Sequence, residues 1–356
     1  MKTIKLFAFL FVSILLFSSC SDDNDFPVDD PDQPTQPENP QGAYANGFFV
    51  TNEGHFPDAG SITFVSHDLS TTQQNVYATV NDGGTVGSVV QSMFFDDKGR
   101  AYIIANNSNM ITVVDRYTFE KVGTITEGLN LPRYGVVENG KAYVTNQGNQ
   151  SFVAVIDLTS LSVIKTIDMS EYNTVEFIKE GGNNDMIYVQ NASFGGGNTI
   201  SVIDPATNTI VNTYQTASGL DSFVIDDNIL YALTESKLQE FIINGAPDPM
   251  TTIPLNYESK VHNLVIENDK IYFTSGKSVY TMDDMATTAP AEPLFTYSTN
   301  SAWGAMYGFA VEDNRIYIAD GGDFSSDSFV EVHNINGDLI EKVTVGIGPN
   351  GIYVND

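Results

Sequence analysis

The sequence predicts an all-β fold, a seven-bladed β-propeller of four-stranded blades, and three observations support this. A strand pattern centred on an aromatic residue recurs seven times between residues 46 and 320, at intervals of 41 to 53 residues. Each copy is flanked by further short apolar strands and polar turns, which gives about four strands per repeat. The 29 Gly, 17 Tyr and 22 Phe among the 356 residues suit strands joined by tight turns.

The second strand of each predicted blade is the clearest element of the repeat. Its central aromatic residues are Phe49, Tyr102, Tyr143, Tyr188, Tyr231, Tyr272 and Tyr317. The seven copies are NGFFVTN (46–52), GRAYIIA (99–105), GKAYVTN (140–146), DMIYVQN (185–191), NILYALT (228–234), DKIYFTS (269–275) and NRIYIAD (314–320).

The remaining strands of each blade lie on either side of this segment. A first strand precedes it through a hairpin turn, as in YGVVENGK (134–141) and FAVEDNR (309–315). The Asn-Gly and Asp-Asn pairs in these turns favour left-handed backbone. A third strand such as ITVVD (111–115) and a fourth such as KVGTIT (121–126) complete the blade.

The two ends of the repeat predict how the ring closes. The propeller is predicted to span 46–356 and to begin at Asn46 with a second strand, so blade one lacks a first strand there. The last residues, 350–356, match the first strand of a blade. We therefore expect the C-terminal strand to pair inside blade one, because an open ring would expose two sheet edges.

The N-terminal region predicts where the protein is located rather than how it folds. Residues 1–19 have the basic start and short apolar run of a signal peptide, which is too short for a membrane-spanning helix. Cys20, the only cysteine of the chain, follows directly, and the residues around it resemble a bacterial lipobox. Lipidation at Cys20 is the expectation, and ordinary secretion with a free cysteine is the alternative. Residues 20–45 are rich in Asp and Pro and predict a disordered tether.

Composition and motifs argue against several classes of function. A net charge of −29, from 45 acidic and 16 basic residues, opposes nucleic-acid binding. The four histidines are dispersed, and no hydrolase or zinc motif is present. We therefore expect no enzyme, no catalytic residue, no resident metal and no cofactor. A calcium site in the loop Asp320–Asp327 is an alternative that its oxygen side chains leave open.

Strand direction predicts one ligand-binding face. The segment that enters the first strand and the segment that leaves the second strand of a blade meet around the central channel. Amides and aromatic residues concentrate there, which suits a large neutral ligand. The alternative is that these residues only shape turns and pack between blades. The predicted ligand-binding residues are Asn52, His55, Phe56, Asn106, Arg133, Tyr134, Asn146, Phe194, Trp303, Tyr307 and Asp320. The opposite face is acidic and is expected to be merely solvated.

The strand Tyr143-Val144-Thr145-Asn146 and its near copy at Phe49–Asn52 resemble the repeat of YVTN-type seven-bladed propellers. The acidic run after Cys20 resembles the surface-export signal of Bacteroidetes lipoproteins. The whole layout is similar to that of the BtuG-type cobalamin-binding proteins. This resemblance implies a cell-surface, outer-membrane lipoprotein, anchored to the membrane by lipid only. Its partners would be a corrinoid (vitamin B12, cobalamin) as transported ligand and a TonB-dependent transporter that receives it.

Two other readings remain open from the sequence. One is a protein-interaction propeller in a surface complex, and the less favoured one is a propeller enzyme of lyase or lactonase type. Fold alone does not separate these functions, because propellers host many of them.

Overall fold

The computed structural model describes residues 42–172, 174–182, 185–193 and 196–355, which form seven four-stranded antiparallel sheets. The all-β seven-bladed propeller is thereby confirmed. The predicted signal peptide, Cys20, almost all of the tether and Phe194 lie outside the described residues.

The strands follow the chain blade by blade. Blade one has β1 (Gly47–Asn52), β2 (Ser61–Ser66) and β3 (Thr72–Gln73); blade two has β4 (Val90–Phe95), β5 (Arg100–Ala105), β6 (Met110–Asp115) and β7 (Lys121–Ile125). Blade three has β8 (Pro132–Glu138), β9 (Lys141–Asn146), β10 (Phe152–Asp157) and β11 (Ser162–Asp168); blade four has β12 (Ile178–Gly181), β13 (Met186–Ser193), β14 (Gly196–Asp204) and β15 (Thr209–Gln215). Blade five has β16 (Leu220–Asp226), β17 (Ile229–Thr234), β18 (Lys237–Ile242) and β19 (Thr251–Pro254); blade six has β20 (Val261–Glu267), β21 (Lys270–Ser275), β22 (Ser278–Asp283) and β23 (Phe295–Thr296). Blade seven has β24 (Gly308–Glu312), β25 (Arg315–Asp320), β26 (Ser328–Asn334) and β27 (Leu339–Val345), and β28 (Pro349–Asn355) returns to blade one.

The inner strand of each blade contacts the inner strands of both neighbouring blades. Going round the ring, these strands are β28, β4, β8, β12, β16, β20 and β24, and the contact between β24 and β28 closes the circle. The inner strands therefore surround a central channel.

The repeated aromatic residue of the second strand lies in the packing between blades. Phe49 and its six Tyr counterparts are all buried. Several of the hydroxyl groups find partners: for example, Tyr102 donates to Asp96 Oδ2 at 2.9 Å, and Tyr143 donates to Asn208 Oδ1 at 2.7 Å. A buried Tyr thus fills the space between sheets and keeps its hydroxyl satisfied.

The predicted hairpin turns between first and second strands adopt left-handed backbone. Asn139 has φ 51° and the following Gly140 has φ 70°. Asp313 and Asn314, at the same place in blade seven, have φ 53° and 57°. These turns lie on the face opposite the channel entrance described below.

The C-terminal strand closes blade one as the sequence predicts. β28 pairs antiparallel with β1, and Tyr353 lies opposite Phe49. Asn355 is buried, and its side chain bonds to the backbone carbonyls of Tyr44 and Arg116 and accepts from Arg116 Nε. Tyr44 itself packs on Phe49 and Phe64. The packed part of the chain therefore begins slightly before the predicted boundary at residue 46.

The longest repeat interval, between Phe49 and Tyr102, contains a local insertion. Residues 74–89 carry the one-turn helix α1 (Val76–Val80), whose Val76 and Tyr77 are buried. A short 3₁₀ helix lies at Ser170–Tyr172. In the described part of the chain, no helix has the length and apolar character needed to cross a membrane.

Candidate functional site

One end of the central channel is lined by a polar side chain from every blade. Inner strands begin where second strands end, as the pairs Pro132 with Asn146 and Val261 with Ser275 show. The residues at this entrance, called the mouth ring here, are Asn350, Gln91, Arg133, Glu176, Asp221, His262 and Tyr307, from blades one to seven in turn. This places the entering segments on one face, as predicted.

Backbone irregularities place several mouth-ring residues at the channel entrance. The register shifts where β4, β16 and β28 begin, so that Gln91, Asp221 and Asn350 are the unpaired extra residues. β8 has a similar shift at Arg133 and Tyr134. A β-bulge bends the strand and re-aims its side chains, and bulges are common beside functional sites.

Bonds between neighbouring blades hold this entrance together. Ser92 Oγ donates to the carbonyl of Arg133 at 2.6 Å, and Thr145 Oγ1 donates to the carbonyl of Glu176 at 2.7 Å. Asn350 Nδ2 donates to the carbonyl of Gln91 at 3.2 Å, which joins blade one to blade two. Since these bonds fix the backbone of the mouth ring, the ring is a preorganised feature rather than a set of free loops.

Arg133 and Glu176 form an ion pair in the wall of the mouth. Arg133 Nη2 lies 2.6 Å from Glu176 Oε1, and the two side chains are only 14% and 8% exposed. Gln91 Oε1 accepts from Arg133, while Gln147 Nε2 and Ser193 Oγ donate to Glu176 Oε2 at 2.6 and 2.7 Å. The guanidinium of Arg133, which the sequence predicts to bind ligand, is thus already bonded to protein groups.

Asp221 and His262 form a second pair, which is open to the channel. His262 Nδ1 bonds to Asp221 Oδ1, and the other carboxylate oxygen accepts from Asn263 N at 3.1 Å and Ser222 Oγ at 2.9 Å. The hydrogen bond to Asp221 raises the pKa of His262. The imidazole remains half exposed, so its Nε2 side can meet a ligand.

Glu53 and Tyr307 close the ring between blades one and seven. Tyr307 donates to Glu53 Oε1 at 2.7 Å, and Asn350 Nδ2 donates to the same oxygen at 3.2 Å. Burial raises the pKa of the Glu53 carboxyl, although both hydrogen bonds act in the other direction. Burial also raises the pKa of the Tyr307 hydroxyl, which therefore remains a donor at neutral pH.

A cavity of about 570 Å³ leads from the mouth ring into the channel; we call it the channel cavity. Asp221, His262 and Tyr307 lie at its entrance. Its remaining wall combines aromatic and aliphatic side chains with small polar residues and two lysines, and includes Phe177, Lys179, Lys260, Val265 and Phe309. Aromatic surface beside convergent polar groups is typical of small-molecule sites.

A second cavity of about 560 Å³, the rim cavity, lies on the same face of blade seven. Trp303, which is 88% exposed, lines it together with Phe324, Phe329 and Lys342. The Phe324 ring meets Tyr307 edge-on at 5.0 Å between ring centres, and Tyr307 lines the channel cavity. The two cavities are therefore neighbours, and Trp303 borders the rim cavity rather than the channel entrance.

Asn52, Asn106, Asn146 and Asp320, four of the predicted ligand-binding residues, use their side chains to hold the ends of second strands. Asn52, Asn146 and Asp320 are fully buried. Asn146 Nδ2 donates to the carbonyl of Val144 at 2.9 Å, and its Oδ1 accepts from Asn130 N at 2.8 Å. Asp320 accepts from the Tyr297 hydroxyl at 2.9 Å, and Asn106 Nδ2 donates to the carbonyl of Pro132 at 3.0 Å. These side chains fasten the ends of second strands, which is the turn-shaping role that the sequence left open.

The other predicted residues lie closer to the mouth. Tyr134 packs on Phe177 with ring centres 4.5 Å apart, and Gln91 Nε2 donates to its hydroxyl at 3.1 Å. His55 Nδ1 lies 3.0 Å from the carbonyl of Phe324, and Phe56 is 63% exposed. His55, Phe56 and Tyr307 therefore remain available at the surface, while Tyr134 belongs to the wall.

Lys179, Asp221 and Asn350 are site residues that sequence reasoning missed. Each is a single polar residue near or within an inner strand, and the sequence pattern there is that of an ordinary partly exposed strand. The one usable signal was position, since Asp221 and Asn350 directly enter a first strand.

The calcium alternative finds no support in the loop after β25. Asp323 Oδ1 accepts from Ser325 N and Ser326 N, both at 2.9 Å, and Asp320 Oδ1 accepts from Gly322 N at 2.8 Å. The carboxylates thus hold the loop's own backbone. Across the described ranges, no group of three or more His, Cys, Asp or Glu side chains is arranged to hold a metal ion.

The opposite end of the channel is acidic. Glu138, Glu180, Asp226 and Glu267 each end or nearly end an inner strand there, and burial together with neighbouring carboxylates raises the pKa of all four. The two ends of the channel therefore differ: carboxylates cluster at this end, whereas the mouth ring combines cations, carboxylates and an aromatic residue.

Comparison with known proteins supports the fold and leaves the ligand open. A protein of unknown function from Desulfotomaculum acetoxidans matches with a TM-score of 0.68 at 11% identity, over 87% of this chain and 98% of that one. A quinonprotein alcohol dehydrogenase-like protein from Bacteroides thetaiotaomicron matches with a TM-score of 0.65 at 14% identity, over 88% and 79%. A candidate 6-phosphogluconolactonase from Bacteroides fragilis matches with a TM-score of 0.65 at 9% identity, over 89% and 100%. At these identities the likeness concerns the fold alone.

No protein of curated function matches the sequence. A family model described as a domain of unknown function, DUF5074, matches residues 46–255, which is more than half of the chain. The matched segment covers blade one without its C-terminal strand, blades two to four and blade five. The chain belongs to the DUF5074 family.

Proposed function

We propose that this protein is a cell-surface lipoprotein, lipidated at Cys20, that captures a corrinoid and passes it to an outer-membrane TonB-dependent transporter. The observation that carries the proposal is the mouth ring with its two adjoining cavities. Together they offer polar donors and acceptors from all seven blades around a partly apolar opening. The resemblance to YVTN-type and BtuG-type propellers selects the corrinoid among large ligands.

The chemistry of the mouth suits such a ligand. A corrinoid has a flat macrocycle fringed with carboxamides, so it needs both apolar contact and many hydrogen-bonding partners. Tyr307 and Phe324 present aromatic surface between the two cavities, and His262 and Glu53 present polar groups beside it. A ligand larger than either cavity would straddle Tyr307, with its edges at His262 and at Trp303.

The remaining parts of the proposal rest on the N-terminal sequence. The apolar run before Cys20 and the acidic run after it favour lipid anchoring and export to the cell surface. We propose a binding protein rather than an enzyme, with no resident cofactor, because the polar groups of the mouth are mostly paired with each other.

The proposal is tested by mixing the soluble domain of residues 40–356, which forms a compact unit, with cyanocobalamin and separating the mixture by gel filtration. Red material that co-elutes with the protein at micromolar concentration supports capture. Protein that elutes colourless refutes it.

Three variants test which face binds. His262→Ala and Tyr307→Ala are expected to weaken binding by about 1–3 kcal/mol each, which is usual for central contacts. Trp303→Ala tests whether the ligand reaches the rim cavity, and we expect a loss of similar size. Glu138→Ala, on the acidic face, is the matched control and should leave affinity unchanged. A loss with Glu138→Ala and none with His262→Ala would place the ligand on the other face. Thermal melting of each variant separates lost contact from lost folding.

A second candidate function is hydrolysis or elimination, and the Asp221–His262 pair favours it. A carboxylate that orients an imidazole at a cavity is the usual arrangement of a general base. Turnover of a lactone by the wild-type domain, abolished in His262→Ala, would support this candidate over simple capture.

A further inference from the structure

Lys179 lies inside the channel cavity rather than on an outer surface. It is the second residue of β12, the inner strand of blade four, and its backbone lies opposite Tyr188. Successive strand residues point to opposite faces, and its neighbour Ile178 is buried in the packing between blades. Phe177, Val265 and Phe309 line the same cavity from blades four, six and seven. The Lys179 side chain therefore lies on the channel side of β12, where it is solvent-exposed and lines the cavity.

This ammonium group has no protein partner in the part of the chain that the structure describes. Lys260, Lys270 and Lys342 each pair with a carboxylate, whereas no ion pair or hydrogen bond involves the Lys179 side chain. Asp221, the carboxylate of the same cavity, already accepts from His262, Asn263 and Ser222. Surrounding protein atoms lower the pKa of Lys179, which is the direction expected for a cation without a counter-charge.

An unmatched cation in a strongly acidic protein points to an anionic ligand group. With a net charge of −29, the chain as a whole repels anions, so a ligand anion needs local compensation. We propose that Lys179 binds an anionic oxygen group, a carboxylate or a phosphate, of a ligand whose apolar part packs against Phe177 and Phe309. His262, at the entrance of the same cavity, adds a second donor.

This inference deepens the proposed function, on which its assignment to a corrinoid rests. A cobalamin carries one phosphate, in its nucleotide arm, whereas cobinamide lacks that arm. In this arrangement the phosphate-bearing arm of cobalamin lies in the channel cavity, and its macrocycle lies at the mouth ring.

The first experiment tests the anion site without a corrinoid. Binding of phenyl phosphate and of neutral benzyl alcohol to the domain of residues 40–356 is measured by calorimetry at low salt. We expect phenyl phosphate to bind in preference, and Lys179→Met to weaken it at least tenfold, in line with a hydrogen bond between charged groups. Lys179→Arg keeps the charge and should keep binding within a few-fold.

Lys141→Met is the matched control, because it removes the same charge at the acidic end of the channel. It should change phenyl phosphate affinity less than twofold. Equal affinity of wild type and Lys179→Met, or equal loss with Lys141→Met, overturns the inference. Circular dichroism of Lys179→Met checks that the propeller is intact, and Lys179→Gln provides the same test of charge removal if it is not.

The second experiment separates this inference from the proposed function. Wild type should bind cyanocobalamin more tightly than cobinamide, and Lys179→Met should remove most of that difference. Binding of phenyl phosphate without any binding of cyanocobalamin keeps the anion site and refutes corrinoid capture. An undiminished preference for cyanocobalamin in Lys179→Met refutes the placement of its phosphate at Lys179.

Discussion

Replacement of Asn355 by Ala should destabilise the whole propeller, because this side chain fastens the strand that closes the ring. Its Nδ2 donates to the carbonyls of Tyr44 and Arg116, and its Oδ1 accepts from Arg116 Nε. The variant removes three hydrogen bonds at a fully buried position, one of them to a charged group.

The expected loss follows from these bonds. A buried hydrogen bond contributes about 1 kcal/mol and one to a charged group about 1.5–3 kcal/mol, so Asn355→Ala should cost about 3.5–5 kcal/mol. For the roughly 310 residues that the structure describes, an unfolding entropy of about 2.1 cal/mol/K per residue converts this loss into a fall in Tm of about 5–8 °C. Because the inner strand of each blade contacts the inner strands of both neighbouring blades, the fall in Tm should appear in the main unfolding transition.

Differential scanning calorimetry of the domain of residues 40–356 measures this fall. Asn336→Ala is the matched control, since Asn336 is exposed and none of the hydrogen bonds of the described structure involves its side chain. Its Tm should change by less than about 1 °C, as is usual for surface substitutions. An Asn355→Ala domain that melts with the wild type would show that the C-terminal strand contributes little to closure.

Three further predictions concern the ion pair, the histidine and the tether. Glu176→Ala leaves Arg133 largely buried without its carboxylate and should cost about 3 kcal/mol in chemical unfolding. Asp283→Ala breaks the exposed Lys270–Asp283 pair and should cost much less, and equal losses in the two variants would contradict the burial argument. The folded-state pKa of His262 is raised above its unfolded value, so the stabilisation by Asp221 is fully present below about pH 6.5 and is lost as pH rises through the folded pKa. NMR titration should show a lower His262 pKa in Asp221→Asn than in the wild type. The pH-dependent part of the Tm difference between wild type and Asp221→Asn should shrink at high pH. An unchanged His262 titration in the variant would exclude the pairing. Replacement of Asp22, Asp23 and Asp25 by Ala should leave the protein lipidated but protected from external protease, and unchanged cleavage on whole cells would remove the acidic run as export signal.

The architecture could be predicted from the sequence because each of its causes is local or repeated. The aromatic centre of the second strand, from Phe49 to Tyr317, marks every blade, and all seven residues are buried as the pattern predicts. Turn pairs such as Asn139-Gly140 adopt the left-handed backbone that their residue types favour. The match of 350–356 to a first strand was enough to predict closure, because blade one is the blade that lacks a first strand of its own.

The face of the candidate site was also predictable, but the residues that line it were predicted less well. Strand direction places entering segments such as Arg133 and Tyr307 at the mouth, and this follows from antiparallel pairing alone. Whether an Asn side chain at that face contacts solvent or bonds to a backbone carbonyl depends on how neighbouring segments and blades pack around it. Asn146 has the residue type of a ligand contact, and it bonds to Val144 and Asn130 instead.

The sequence by itself determined the number of blades, their strand order, the closing strand and the expected cellular location of the protein. Tertiary structure alone decided which polar groups remain free. Bulges at Gln91, Asp221 and Asn350 shift the strand register by one residue, and a shift of one residue reverses the side to which a side chain points. Lys179 reads as an ordinary strand residue in the sequence, and only the closed ring turns it towards a channel shared with Asp221 and His262. Contacts between distant blades create that channel, and no local pattern in the chain encodes them.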